Sequence, residues 1–195
     1  MNVTRGSGLL ENFLAKKRAK VADGLIADNL RNGKILDIGC GNYPYFLSNI
    51  KFNEKYGLDK DFVNIIDNKE IKLIRQNIEK DFIINLPDNY FNVITMLAFL
   101  EHLEGEIAKK VLKEAYRVLA PRGNLIITVP RDISDSILKF LANIGLVSKI
   151  EINEHKQLYN KEILKEQLLN ADFRGHNIKI GSFEFGLNLF AIAKK

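Results

Sequence analysis

"KILDIGCGNYPYFL", residues 34–47, joins a short apolar run ending in an acid to two glycines that flank a cysteine. An apolar run of this length bounded by glycine reads as a buried strand. Glycine admits positive φ and lets a ligand approach the backbone closely. The residues that follow can open a helix, because Asn42 is a capping type and Pro44 is tolerated in a first turn. A helix start presents free N–H groups to an anion. Strand, Gly39-Cys40-Gly41 turn and helix start together mark a nucleotide-type ligand site.

Outward from this stretch the same pattern recurs. KYGLD (55–59), IKLIRQN (71–77), FNVITML (91–97) and GNLIITVP (123–130) read as four more strands. Residues 9–31 place Leu9, Phe13, Leu14, Val21, Leu25 and Leu30 at helical spacing, and Asn32-Gly33 ends the run. A helix over 104–119 separates the fourth and fifth strands. Asp61 can cap a short helix over 62–68, a helical stretch follows Pro130, and a further helix starts at Asn160. HNIKIGSF and GLNLFAIAKK supply two closing strands. Strand and helix in alternation predict an α/β fold, a parallel sheet with helices on both faces. A chain of 195 residues fits a single domain with a full core.

The ligand of the first turn follows from charge. Asp59 ends the second strand about twenty residues after the turn, where a carboxylate reaches the ribose hydroxyls of an adenosine ligand. A dinucleotide would pack its pyrophosphate on the helix start and favours a third glycine, and Pro44 stands at that position. Asp37, two residues before the first glycine, would repel a pyrophosphate. It suits a ligand with a positive end, such as the ammonium and sulfonium of S-adenosylmethionine.

On these residues the chain resembles the class I S-adenosylmethionine-dependent methyltransferases. KILDIGCGNYPYFL is similar to their first motif and KYGLDKD to their second. QNIEKDFIINLPDNYFNVITMLAFLEHL resembles the segment with the adenine contact and fourth strand, and its EHL matches the small-molecule subgroup. EAYRVLAPRGNLIITVP and HKQLYNKEILKEQLLNADFR resemble the later pieces, in the family's order. The resemblance implies a Rossmann-like, doubly wound, mostly parallel seven-stranded sheet with an antiparallel last strand. It implies one methyltransferase domain over 1–195, with 1–33 as a helical cap and 131–159 as an acceptor-site lid. Three positions depart from the family pattern: Asn42-Tyr43-Pro44 in the first turn, Asn92 for a frequent acid, and Arg122 for a frequent glycine.

The resemblance also implies roles. Gly39, Cys40 and Gly41 give backbone contact to the methionyl part, with Cys40 serving as a small residue that fits. Asp37 helps hold the amino acid end and Asp59 the ribose; Lys60 lays its stem over the adenine or stays solvated. Asn77 meets the adenine amino group, Ile78 contacts the ring, and Leu97 closes the fourth strand beneath the ligand. S-adenosylmethionine is the expected cofactor and S-adenosylhomocysteine its product. The candidate catalytic residues are His102 and His155, each with a plain structural alternative. TMLAF at the end of the fourth strand lacks the Asn/Asp-Pro-Pro-Tyr pattern of enzymes that methylate base or glutamine amino nitrogens. Asp132 and Asp135 read as capping acids, and no metal is expected.

Composition bounds the partners. Hydrophobic content of 46% and charged content of 27% fit a soluble globular chain. No apolar run approaches ~18 residues, which argues against a spanning helix. The first twenty residues mix charge among apolar positions, unlike a signal peptide, so a cytoplasmic location is expected. One cysteine excludes an internal disulfide and a cysteine-rich zinc site. A net charge of +5 permits an acidic partner, and KKRAK at 16–20 reads as a solvated helix face that nucleic acid or an anionic membrane surface would also suit. A small-molecule acceptor is the expected partner, under an apolar lid that includes Ile137, Leu138, Phe140 and Leu141.

Overall fold

The computed structural model describes residues 11–61, 70–134 and 156–195. Seven strands form one sheet: β1 (Lys34–Ile38), β2 (Glu54–Asp59), β3 (Ile71–Arg75), β4 (Phe91–Leu97), β5 (Leu119–Pro130), β6 (Ile178–Phe183) and β7 (Asn188–Lys194). Their order is β3-β2-β1-β4-β5-β7-β6. β7 runs antiparallel to both its neighbours, and the other pairs are parallel. This is the doubly wound sheet expected, with the antiparallel last strand. Strand order reverses between β1 and β4, with β2 and β3 added on one side and β5 on the other, so the carboxyl ends of these two parallel strands open onto a crevice where such sheets bind ligands.

Helices α1 (Glu11–Gly24), α2 (Tyr45–Ser48), α3 (Gly105–Val118) and α4 (Lys161–Asn170) cover the sheet. The short apolar strands are buried on both faces, as a two-sided sheet demands. In β1, Leu36 and Ile38 pack in the core that holds Ala108, Val111, Leu112 and Ala115 of α3. Ile35 points the other way, into the core with Ala19, Ala22 and Ile26. β5 divides likewise, with Leu125 and Ile127 on the α3 side and Ile126 on the α1 side. The α3 residues recur at three- and four-residue intervals, one stripe of a 3.6-residue helix. Each fully buried leucine or isoleucine contributes roughly 1.5–3 kcal/mol relative to exposure. No helix among the described residues is long and apolar enough to cross a membrane.

Three elements differ from expectation. α1 ends at Gly24, short of residue 31, and a separate 3-10 turn occupies Asp28–Leu30. Arg31 stabilises this break, donating to the Asp23 carboxylate (2.8 Å) and the carbonyls of Asp23 and Ile26. α2 is a single turn with Pro44 at its N-cap, and Asn42 does not cap it. β5 begins four residues early because Leu119 pairs with Phe91, and the chain passes Arg122 at φ 67 before the parallel ladder resumes. α4 starts as expected, with the Asn160 side chain accepting the Ile163 N–H at 2.9 Å. The expected helix over 62–68 and most of the 131–159 lid lie outside the described residues.

Candidate functional site

The turn after β1 is shaped by what its glycines leave out. Gly39 (φ 77) and Gly41 (φ 72) both occupy the left-handed region. A Cβ on Gly39 would stand 2.2 Å from the ring of Phe99, so this side chain closes directly over the backbone. The N–H groups of Gly39 and Cys40 both reach the Leu58 carbonyl, at 2.8 and 3.3 Å, which ties the turn to β2. Gly57 in β2 leaves room for Cys40, whose Sγ would lie 2.8 Å from a Cβ there. Cys40 is thus a packing residue, held by a matched small residue on the next strand.

Two acids stand beside this turn. Asp37 is buried in β1, paired across the sheet with Gly57 and Thr95. The Thr95 hydroxyl donates to its Oδ1 at 2.6 Å. Burial pushes the Asp37 carboxyl up to about 7; the Thr95 bond opposes this, and the charge of Asp59 adds to it. Asp59, buried at the end of β2, accepts the Gly41 N–H on Oδ2 (2.9 Å) and the Asp61 N–H on Oδ1 (3.0 Å). A carboxylate has about four acceptor sites, so Asp59 can accept hydroxyls as well as backbone N–H groups. Two buried acids that repel each other favour a cation between them. A ligand with a positive end and a ribose diol therefore fits this donor set. A pyrophosphate does not, because its negative charge would meet the two acids.

Beyond the carboxyl ends of β2 and β3, two ion pairs converge on Glu79. Its carboxylate pairs with Lys60 (3.0 Å) and with Lys156 (3.4 Å). Burial works to raise this carboxyl, and the two ammonium groups outweigh it and hold it below the ordinary value. Lys60 is therefore held in an ion pair at the rim, and this is the alternative its sequence context did not suggest. The Asn77 side chain accepts the Glu79 N–H at 3.1 Å, and its carbonyl accepts from Lys80 and Asp81. Ile78 is buried with Leu36 and Leu58, so any ring contact from it would come from its backbone edge.

At the end of β4, Leu97 packs toward the α1-side core, and Ala98 turns at φ 52 with its N–H on the Thr128 carbonyl. His102 is half-buried in the 3-10 turn Leu100–His102, its N–H bonded to the Phe99 carbonyl at 3.1 Å. The buried Glu101 accepts the N–H groups of Lys156 and Gln157 on its backbone carbonyl. This brings residues 156 and 157 back against the EHL turn. His155 and Asp135 lie outside the described residues. Asp132 caps its own turn, accepting the Ile133 N–H. Among the described residues no group of three or more His, Cys, Asp or Glu side chains could hold a metal ion. Thr95, Phe99 and Glu79 belong to the site and were not singled out from sequence. Thr95 carried a signal, a polar residue inside an apolar strand that must find a partner.

A family model described as a methyltransferase domain matches residues 9–178. No curated protein sequence matches the chain. Among solved structures, an S-adenosylmethionine-dependent methyltransferase from Archaeoglobus fulgidus aligns with a TM-score of 0.68 at 20% identity, covering 95% of this chain and 94% of the other. A Thermotoga maritima protein described as a possible histamine N-methyltransferase gives 0.72 at 17% identity, over 96% and 91%. Phosphoethanolamine N-methyltransferase 2 of Haemonchus contortus, in complex with phosphomonomethylethanolamine and S-adenosylhomocysteine, gives 0.67 at 13%, over 92% and 52%.

Proposed function

The chain belongs to the methyltransferase domain family, with S-adenosylmethionine as its methyl donor, and we propose that the methyl goes to an oxygen, nitrogen or carbon atom of a small organic acceptor. The observation that carries this reading is the pair of buried acids, Asp37 and Asp59, at the switch point beside the Gly39–Gly41 turn. The small polar molecules in the names of the Thermotoga and Haemonchus relatives support the acceptor class.

When bound, the donor supplies a methyl group on a positively charged sulfur, which leaves as the neutral thioether S-adenosylhomocysteine. The chain has little bond-making chemistry to perform. In this reading Asp59 takes the ribose hydroxyls, and Asp37 complements the positive end. Gly39 and Gly41 let the backbone lie close to the methionyl part. Leu97 and Phe99 form an apolar edge next to that end and exclude water. Holding donor and acceptor in line can supply ~7–11 kcal/mol of the barrier. A base is needed only where the acceptor atom must lose a proton. His102, on the turn after β4, is then the described candidate to take it.

Titration calorimetry with S-adenosylmethionine and S-adenosylhomocysteine tests the donor site, and binding of both is expected. Release of S-adenosylhomocysteine on adding acceptor libraries tests turnover. Failure of both ligands to bind would overturn the reading.

A further inference from the structure

The turn between β6 and β7 stands at the same sheet edge as the donor turn. Asn188, which opens β7, pairs with Pro130 at the carboxyl end of β5 and with Phe183 of β6. Neighbouring strands lie about 4.8 Å apart, so the tip at 184–187 is roughly 10 Å along the edge from the end of β4. That is the span of one small molecule. The tip is built in a costly way: Glu184, Phe185 and Gly186 all have positive φ, at 52, 56 and 86. Two of the three are not glycine, and a side chain in this region strains the backbone. The conformation turns the Phe185 ring fully into solvent, at 106% relative exposure.

Glu184 is the unusual member. Its Oε2 accepts from the Asn188 side-chain amide at 2.6 Å. Its Oε1 is buried and accepts no hydrogen bond among the described residues. A buried acceptor without a donor is destabilising, and a bound donor would relieve it. Burial pushes the Glu184 carboxyl up, against the charges of Arg18 and Lys17 on α1. Arg131 lies at the same tip, its Nη1 3.9 Å from where a Cβ on Gly186 would stand, and it carries a long ion pair to Asp132 (3.8 Å). Among the described residues, Lys17, Arg18 and Arg131 stand against Glu184 and Asp132 here. This balance disfavours an ammonium donor and favours a neutral O–H on a molecule that is itself anionic. The unshared face of Phe185 favours a flat ring.

We propose that the β6–β7 tip is the acceptor-recognition wall: Glu184 accepts a hydrogen bond from an acceptor hydroxyl, Phe185 covers its ring, and Arg18, Lys17 and Arg131 favour its carboxylate. This rests on the methyltransferase reading above and narrows its substrate class to aromatic hydroxy acids. Glu184 is here a specificity residue and takes no part in bond making.

The test uses the full chain loaded with S-adenosylhomocysteine and three probes: 4-hydroxybenzoate, benzoate and 4-hydroxybenzyl alcohol. Calorimetry should show 4-hydroxybenzoate binding at least tenfold more tightly than either probe lacking one group. Glu184→Gln keeps an acceptor for Asn188 and removes the charge. It should weaken 4-hydroxybenzoate at least fivefold and leave benzoate and S-adenosylhomocysteine unchanged. Phe185→Ala removes only an exposed ring, so it tests the wall without touching the core, and it should weaken both benzoates alike. If S-adenosylhomocysteine binds and 4-hydroxybenzoate does not, or binds equally to wild type and Glu184→Gln, the proposal is overturned while the donor site stands. If S-adenosylhomocysteine itself fails to bind, the methyltransferase reading falls first and this proposal with it.

Discussion

The two ends of the same parallel strands solve opposite problems. At the amino end, the Tyr56 hydroxyl meets Glu54 (2.8 Å) and Tyr90 (2.9 Å), Lys72 donates to Glu54 and to Tyr56, and Lys34 sits 3.8 Å over the Tyr90 ring. Each charge there has a partner of opposite sign. Glu54 is held down at about 2, first by the Lys72 bond and then by the Tyr56 bond. At the carboxyl end, Asp37 and Asp59 are both buried acids that accept from the Thr95 hydroxyl and from backbone N–H groups. One end joins opposite charges, and the other sets two acids near enough that the charge of Asp59 helps raise Asp37, a tension that a cation would relieve. Satisfied polar groups serve stability, and two acids that perturb each other in a crevice mark a candidate binding site.

The sharpest way to break this contrast is Asp59→Asn. It should weaken S-adenosylmethionine about a hundredfold, ~2.8 kcal/mol by calorimetry, because a neutral amide cannot accept two hydroxyls and two N–H groups. An affinity within threefold of wild type would remove Asp59 from the donor site.

Asp37→Asn comes next, with an expected loss of about tenfold in donor affinity, ~1.4 kcal/mol. Its sign in stability is opposite. The Asp37 carboxyl is raised from 3.8 to about 7, so between these values the native state binds more protons than the unfolded chain. Wild-type stability without ligand should therefore fall as pH rises from about 4 to about 7, and Asp37→Asn should lack that fall. Donor affinity of the wild type should drop as pH is lowered through about 7, since the protonated acid no longer attracts a cation. Parallel denaturation and binding curves across pH check both slopes. An identical pH response in the variant would mean that Asp37 is not the titrating group.

The smallest effect belongs to the amino end. Tyr56→Phe should cost about 1–2 kcal/mol in denaturant unfolding, because it strips a partner from Glu54, Tyr90 and Lys72 together. Donor affinity should stay within twofold. A large change in affinity would show that the two ends are coupled through β2.

The contrast explains which parts could be read from sequence. The carboxyl end of β1 was legible because an apolar run, an acid and two glycines are local and consecutive, and Asp59 follows at the end of the next strand. The sheet was legible because its strands are short apolar blocks between polar turns. What escaped depends on contacts between distant segments. Phe99 matters because it lies over Gly39, sixty residues earlier in the chain, and an isolated phenylalanine in an apolar run predicts only core. Glu79 matters because Lys60 and Lys156 converge on it from two loops. α2 was overread: Asn42 and Pro44 are common at helix starts, but a proline disfavours helical backbone at the residue before it, Tyr43, so the helix begins only after Pro44. Asn92 was noted only as a departure. It lies in β4, where its Oδ1 takes the Lys34 N–H and fills the space that Gly33 leaves open.

The placement of β7 has a consequence for assembly. It follows β6 in the chain yet lies between β5 and β6 in the sheet, with Asn124 facing Lys194 and Pro130 facing Asn188. Among the described strands, β6 forms its ladder with β7 alone. The donor turn, in contrast, is fastened by β1 and β2, whose paired residues are about twenty positions apart. Nearby pairings close quickly and distant ones slowly. The donor half can therefore be in place while the hairpin that carries Glu184 and Phe185 is still searching for its groove beside β5. The wall facing the acceptor is then the last part of the sheet to acquire its shape.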